Sequence, residues 1–247
     1  MLRELTPRDW DRPTTCGEWA VREVVAHMLG DLLGRVSAQR DEYRPDQPLP
    51  DETLPTFIDR INEEWVRAAR RLSPRLLMEL YATNGVVHDE QWASLPANQL
   101  SESVSWAGIH PAPVWFDAAR DLTEYWVHER QVREAVGRPG GFPEMSVVLD
   151  IFARGLPYTL AGVDLGSTEC IAVIGDPLGA WTLVREAGSW WIRNGTDDGE
   201  PVMVIVAAEE LWRRWTRQAP FTAPAPSTPE TARDAVLAHV AIIHSSP

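Results

Sequence analysis

Thr15-Cys16-Gly17-Glu18-Trp19-Ala20-Val21-Arg22-Glu23-Val24-Val25-Ala26-His27-Met28-Leu29 is the stretch on which the fold turns. Val21, Val24, Val25, Met28 and Leu29 continue into Leu32, Leu33 and Val36 at helical spacing, which predicts an amphipathic helix running to about Arg40. Thr15 and Glu18 stand at capping-box spacing and are expected to satisfy the first backbone donors of that helix. His27 flanks the apolar stripe near Val24, and Asp31 lies one turn further along the same edge.

Outward from this helix, residues 43–55 hold four prolines and several acids and read as a loop. Phe57, Ile61, Trp65, Ala68, Ala69 and Leu72 predict a second helix, and residues 74–82 a short third. Residues 84–113 break into turns and predict a long connection whose histidines, His88 and His110, sit at the surface. A long aromatic-rich helix follows over residues 112–136, stopped by Gly137-Arg138-Pro139-Gly140-Gly141. Beyond it come a helix near 146–160 and β-like runs at 169–174, 180–186, 190–193 and 202–206, expected to form a small antiparallel sheet. Helices at 209–217 and 229–239, joined by proline-rich residues 219–229, close the chain. The class is α+β, with a helical domain over 1–141 and a smaller α/β domain over 142–247.

The 247 residues are 44% hydrophobic, enough to bury real cores, which excludes a disordered or fibrous protein. A net charge of −13 repels nucleic acid and anionic membranes, so neither is expected as a partner. All 23 basic residues are Arg, which rules out lysine Schiff-base chemistry and a P-loop lysine. The apolar run at 202–208 is too short to span a bilayer, and the first ten residues carry no apolar signal segment, so a soluble cytoplasmic protein is expected. Cys16 and Cys170 are too few for a disulfide framework or a four-thiolate zinc site, so a metal would need His and carboxylate. Cys16 near a helix start could be acidified by the dipole, but no Cys-His pair accompanies it. Most of the 12 tryptophans, among them Trp19, Trp65, Trp115, Trp126, Trp190 and Trp191, read as core mass.

Glu124 and His128 are the sharpest chemical signal, because i,i+4 spacing puts both on one helix face, where they can hold two corners of a metal site. His27 is the natural third ligand from another helix. Two His and one carboxylate would leave coordination positions open, as catalytic sites do. The same residues also suit a surface ion pair and a hydrogen-bonded boundary histidine.

Leu5-Thr6-Pro7, Trp10-Asp11-Arg12-Pro13-Thr14 and Glu18-Trp19-Ala20-Val21-Arg22-Glu23-Val24-Val25-Ala26-His27 resemble the opening of the DinB-like, mycothiol-dependent maleylpyruvate isomerase family. Glu124-Tyr125-Trp126-Val127-His128-Glu129, with Ala135-Val136-Gly137-Arg138-Pro139, resembles that family's second metal motif. The resemblance implies an N-terminal DinB-like helical bundle holding a divalent ion, Zn²⁺ foremost among candidates, on His27, Glu124 and His128. It implies a sterol-carrier-like C-terminal domain from Ser146 onward, which contributes Arg217 to the active-site cleft. The sequence departs from the family in one respect: the helix that usually precedes the Leu-Thr-Pro segment is missing, so either the start is truncated or another element is expected to fill that place in the bundle.

The implied chemistry is a small thiol cofactor, mycothiol, activated by the metal and added to a small electrophilic substrate. Release of the thiol gives isomerisation, and retention gives S-transfer. Arg217 could fix a substrate carboxylate, and Arg120 is a cofactor-binding candidate whose alternative is an ion pair to Glu124. Two other readings remain open: a non-catalytic metal- or ligand-binding protein, and a thiol-independent metalloenzyme acting on a biosynthetic intermediate.

Overall fold

Ala20, not Thr15, precedes the first turn of α1 (Val21–Arg40). Glu23 Oε2 accepts from Ala20 N at 2.8 Å, so the carboxylate half of a capping box forms five residues later than the spacing suggested. Thr14 to Trp19 instead form a tight turn: Thr14 Oγ1 donates to Trp19 O at 2.6 Å, and Gly17 supplies a left-handed φ of 55°. The computed structural model describes residues 1–140, 144–196, 201–218 and 231–241. These form two compact units, 1–99 with 113–140, and 100–112 with 144–241.

In the first unit, α1 packs against α2 (Leu54–Ala69), α3 (Pro74–Ser94) and α4 (Val114–Ala135). The predicted stripe is largely the buried one: Val21, Val24, Val25, Met28 and Leu29 cluster with Trp10, Ala69, Leu77, Val132 and Val136, and Leu32 and Val36 are buried further along α1. Ahead of α1 the chain makes only two 3-10 turns, at Leu2–Glu4 and Asp9–Asp11. The unit nevertheless has four long helices, because α3 spans 21 residues and not the short segment expected. Ser73 Oγ accepts from Leu76 N at 3.2 Å and Pro74 stands at the first helical position, which starts α3; packing on α1 carries it past Gly85. The expected connection over 84–113 therefore shrinks to the residues after Ser94, and His88 is buried on α3 and not at the surface.

The second unit comprises α5 (Met145–Ala153), α6 (Leu156–Ala161), β1 (Cys170–Asp176), β2 (Gly179–Glu186), β3 (Ser189–Asn194), β4 (Val202–Ala207), α7 (Ala208–Trp215) and α8 (Ala232–Ala238). The single helix expected near 146–160 is broken into two at Gly155, where a Cβ would stand 2.7 Å from His239 and 2.9 Å from Trp106. Strand order is β3-β2-β1-β4. β1-β2 and β2-β3 are antiparallel as expected, but β4 pairs parallel to β1, Val173 opposite Val204, which corrects the all-antiparallel reading. Ile171, Val173, Trp181, Leu183, Val204 and Val206 are buried on the face toward the helices. Trp181 Nε1 donates to Asp150 on α5 at 2.9 Å, and Trp215 Nε1 to Val236 O on α8 at 2.8 Å. Trp115 and Trp191 are exposed and so are not core residues. Residues 219–229 lie outside the described residues.

The architecture is α+β, a helical region followed by a four-stranded sheet with flanking helices. No helix among the described residues is long and apolar enough to cross a membrane.

Candidate metal centre

The site grows out of two polar stripes that face each other. On α1, His27, Asp31, Arg35 and Gln39 recur every fourth residue; on α4, Asp117, Asp121, Glu124, His128 and Gln131 recur at alternating four and three. Arg35 reaches Asp117 at 3.3 Å and Asp121 at 2.7 Å, and Gln39 reaches Asp117 at 3.3 Å. His27 pairs with Glu124 near the opposite end, so the two helices run antiparallel along this seam. Burying polar side chains between helices is costly unless each finds a partner, and Arg35 and Arg120 with Asp117 and Asp121 close one half of the seam.

The other half is the cluster anticipated from sequence. Glu124 Oε1 lies 3.2 Å from His27 Nε2 and 3.0 Å from His128 Nε2, and donor atoms of all three residues lie within 4.8 Å of one another. The two imidazole centroids are 4.7 Å apart. Ligands at zinc-like bond lengths around a tetrahedral ion stand roughly 3.3 Å apart, close to these separations. His128 Nδ1 is 2.7 Å from buried Gln131 Oε1, a pairing in which the ring N–H donates to the amide, so Nε2, which hydrogen-bonds to Glu124 in the metal-free cluster, is the nitrogen a metal would take. Trp19 covers His27 at 5.1 Å between centroids, and His27 Nδ1 has no hydrogen-bond partner among the described residues. The residues therefore fit a divalent ion bound through two Nε2 atoms and one carboxylate oxygen.

Charge in the metal-free cluster is distributed accordingly. Burial disfavours the His27 imidazolium, but the carboxylates of Asp31 and Glu124 outweigh it and raise His27 to about 9. Burial raises Glu124 as well, yet hydrogen bonds and charge from His128 and His27 bring its carboxyl well below the ordinary range. Asp31 is pushed up to about 6 by burial, partly offset by His27.

Arg120 is not paired to Glu124. Its guanidinium sits 2.8 Å from Asp117 and 3.2 Å from Asp121. His88 and Trp92, which sequence reading placed in a loop, both reach Asp121 Oδ2 at 3.2 Å. Gln131 had gone unnamed, although the four-three spacing of polar residues from 117 to 131 was there to be read. Cys16 is not an activated thiol, since burial pushes it up to about 12. His110 is exposed, as expected, and contacts Ser103. Arg217 belongs to the second unit, just past α7, in a left-handed conformation with φ 57°; it is not among the side chains the first unit gathers.

A family profile described as the mycothiol maleylpyruvate isomerase N-terminal domain matches residues 1–133. The chain belongs to this family. Among solved structures, mycothiol-dependent maleylpyruvate isomerase is similar, with a TM-score of 0.54 at 15% identity, covering 93% of this chain and 89% of that one. A point mutant of that isomerase gives a TM-score of 0.51 at 13% identity over the same shares. At such identity the likeness speaks for the fold. No curated protein matches the chain.

Proposed function

We propose that this chain is a metal-dependent enzyme that uses mycothiol in the isomerisation of, or S-transfer to, a small electrophilic substrate. The observation that carries the reading is the convergence of His27, Glu124 and His128, from two helices of a family-matched unit, on one position. His27 and His128 would hold the ion through Nε2 and Glu124 through Oε1. When bound, such an ion would lower the pKa of a coordinated thiol and so supply a nucleophile at neutral pH.

The chain's own residues prepare this site in three ways. Gln131 orients His128 by accepting its Nδ1 proton, so that Nε2 faces Glu124. Trp19 shields His27 from bulk water on one side. Glu124 keeps its negative charge against burial because both imidazoles hydrogen-bond to it. Arg217 is the candidate to bind a substrate carboxylate bidentately, and Arg120 the candidate to fix cofactor through the ion-pair group it shares with Asp117 and Asp121.

The test follows the ultraviolet absorbance of a small unsaturated diacid with protein, metal and mycothiol. Turnover that needs both metal and thiol, and that disappears in His27→Ala and His128→Ala, is the expected result. Metal-dependent turnover without thiol would favour the thiol-independent enzyme, and metal binding without turnover would favour the binding protein.

A further inference from the structure

Between the closed half of the α1/α4 seam and the His27-Glu124-His128 cluster stands Asp31. It lies one helical turn from His27 and one from Arg35, so its carboxylate could have joined either group. It approaches the cluster through His27: Asp31 Oδ2 is 3.4 Å from His27 Nε2, the same nitrogen that approaches Glu124 Oε1 at 3.2 Å, and it stands just outside the trio whose donor atoms lie within 4.8 Å of one another. Arg35 turns instead to Asp117 and Asp121. Among the described residues, the one ion pair Asp31 makes within 4 Å is with His27, and His128 also attracts its charge. Its side chain is 31% exposed and that of His27 5%, so Asp31 stands at the open side of the cluster.

Charge counting separates the two halves of the seam. Arg35 and Arg120 balance Asp117 and Asp121. Asp31 and Glu124 are two carboxylates facing two imidazoles that must be neutral to ligate, so once the histidines have given up their protons the cluster carries two negative charges for the metal to balance. One divalent ion does so fully, whereas the two histidines and Glu124 alone would leave it with an excess positive charge.

We propose that Asp31 is a fourth protein ligand to the metal, making the donor set two imidazoles and two carboxylates. The assignment rests on the metal-site reading above. It shifts the donor set toward oxygen, which suits ions tolerant of five or six ligands, such as Mn²⁺, Fe²⁺ and Co²⁺, and leaves the remaining positions to a small ligand on the open side.

The experiment loads the full chain with Co²⁺ and measures affinity by chelator competition together with the visible d–d bands, for the parent, Asp31→Asn and Asp31→Glu. Asp31→Asn is expected to bind at least about tenfold more weakly, with d–d bands shifted in position and intensity, while Asp31→Glu retains tighter binding than Asp31→Asn. An Asp31→Asn protein with the parent's bands overturns the assignment even if affinity falls, because a purely electrostatic neighbour leaves the coordination sphere unchanged. If Asp31→Asn does not fold by circular dichroism, Asp31→Glu decides: altered bands support ligation and unchanged bands refute it. A parent that binds no Co²⁺ removes both this assignment and the metalloenzyme reading beneath it, whereas a parent that binds with bands indifferent to both variants removes only Asp31.

Discussion

Gly30 and Gly34 lie one turn apart on α1, and alanine at the two positions is expected to act with opposite sign. Intrinsic helix propensity favours alanine over glycine by about 0.8–1.0 kcal/mol at either place. A Cβ at Gly34 meets nothing within 4 Å, so Gly34→Ala should keep that gain. A Cβ at Gly30 would collide with Trp65 Cδ1 and fall 2.5 Å from Nε1. The indole cannot step aside freely, because its Nε1 donates to Ala26 O at 2.6 Å. Overpacking costs about 1–3 kcal/mol and a lost hydrogen bond about 1 kcal/mol, so Gly30→Ala should be destabilised by roughly 2 kcal/mol net of propensity. At about 2–4 °C per kcal/mol for a chain of this size, differential scanning calorimetry should show Tm falling by about 4–8 °C in Gly30→Ala and rising by about 2–4 °C in Gly34→Ala. Ala26 immediately precedes His27, so displacing Trp65 should also weaken metal binding in the first variant and not the second. Equal or rising Tm for both would refute the packing of α2 against α1 at this point.

Because His27 is held at about 9 in the metal-free cluster, metal binding near pH 7.5 should expel close to one proton from it and weaken about tenfold per pH unit on acidification; calorimetry in buffers of different ionisation heat checks this, and binding with no proton release contradicts it. His239 is fully buried, its Nε2 2.9 Å from Phe152 O and its Nδ1 2.7 Å from Thr159 Oγ1, and burial lowers it to about 4 from 6.5. The unfolded chain therefore binds the extra proton between those values, so about 3 kcal/mol of stability present above pH 6.5 should be lost as pH falls to 4, and urea titrations at several pH values would show no such slope if the histidine were exposed. Cys16, pushed up to about 12 by burial, should resist alkylation by iodoacetamide at pH 8 in the native chain and react once denatured, as read by peptide mass spectrometry.

What could be read from sequence was what a single helix encodes by itself. The stripe of α1 and the i,i+4 placement of Glu124 and His128 depend only on helical period, and both appear as read. His27 was named as the third ligand from its place beside the apolar stripe of α1, and family likeness then pointed to the same residue; helical period alone could not bring it to that pair. Features that depend on partners were missed: α3 continues past Gly85 because α1 covers it, and His88 becomes buried only because Asp121 on α4 receives it. Arg120 was weighed against Glu124 because the two are neighbours on one helix face, yet Asp117 and Asp121 outcompete it. The parallel pairing of β4 with β1 was equally out of reach, because a short apolar run such as Val202–Ala207 does not by itself fix which neighbour or direction it takes.

The most direct test of the account is metal content per chain, by elemental mass spectrometry, for the purified parent after reloading with Zn²⁺, Co²⁺ or Fe²⁺, beside His27→Ala and His128→Ala variants shown by circular dichroism to keep their helices. The account predicts about one divalent ion per parent chain and little in either variant. A parent that stays metal-free, or variants that hold as much as the parent, would contradict it.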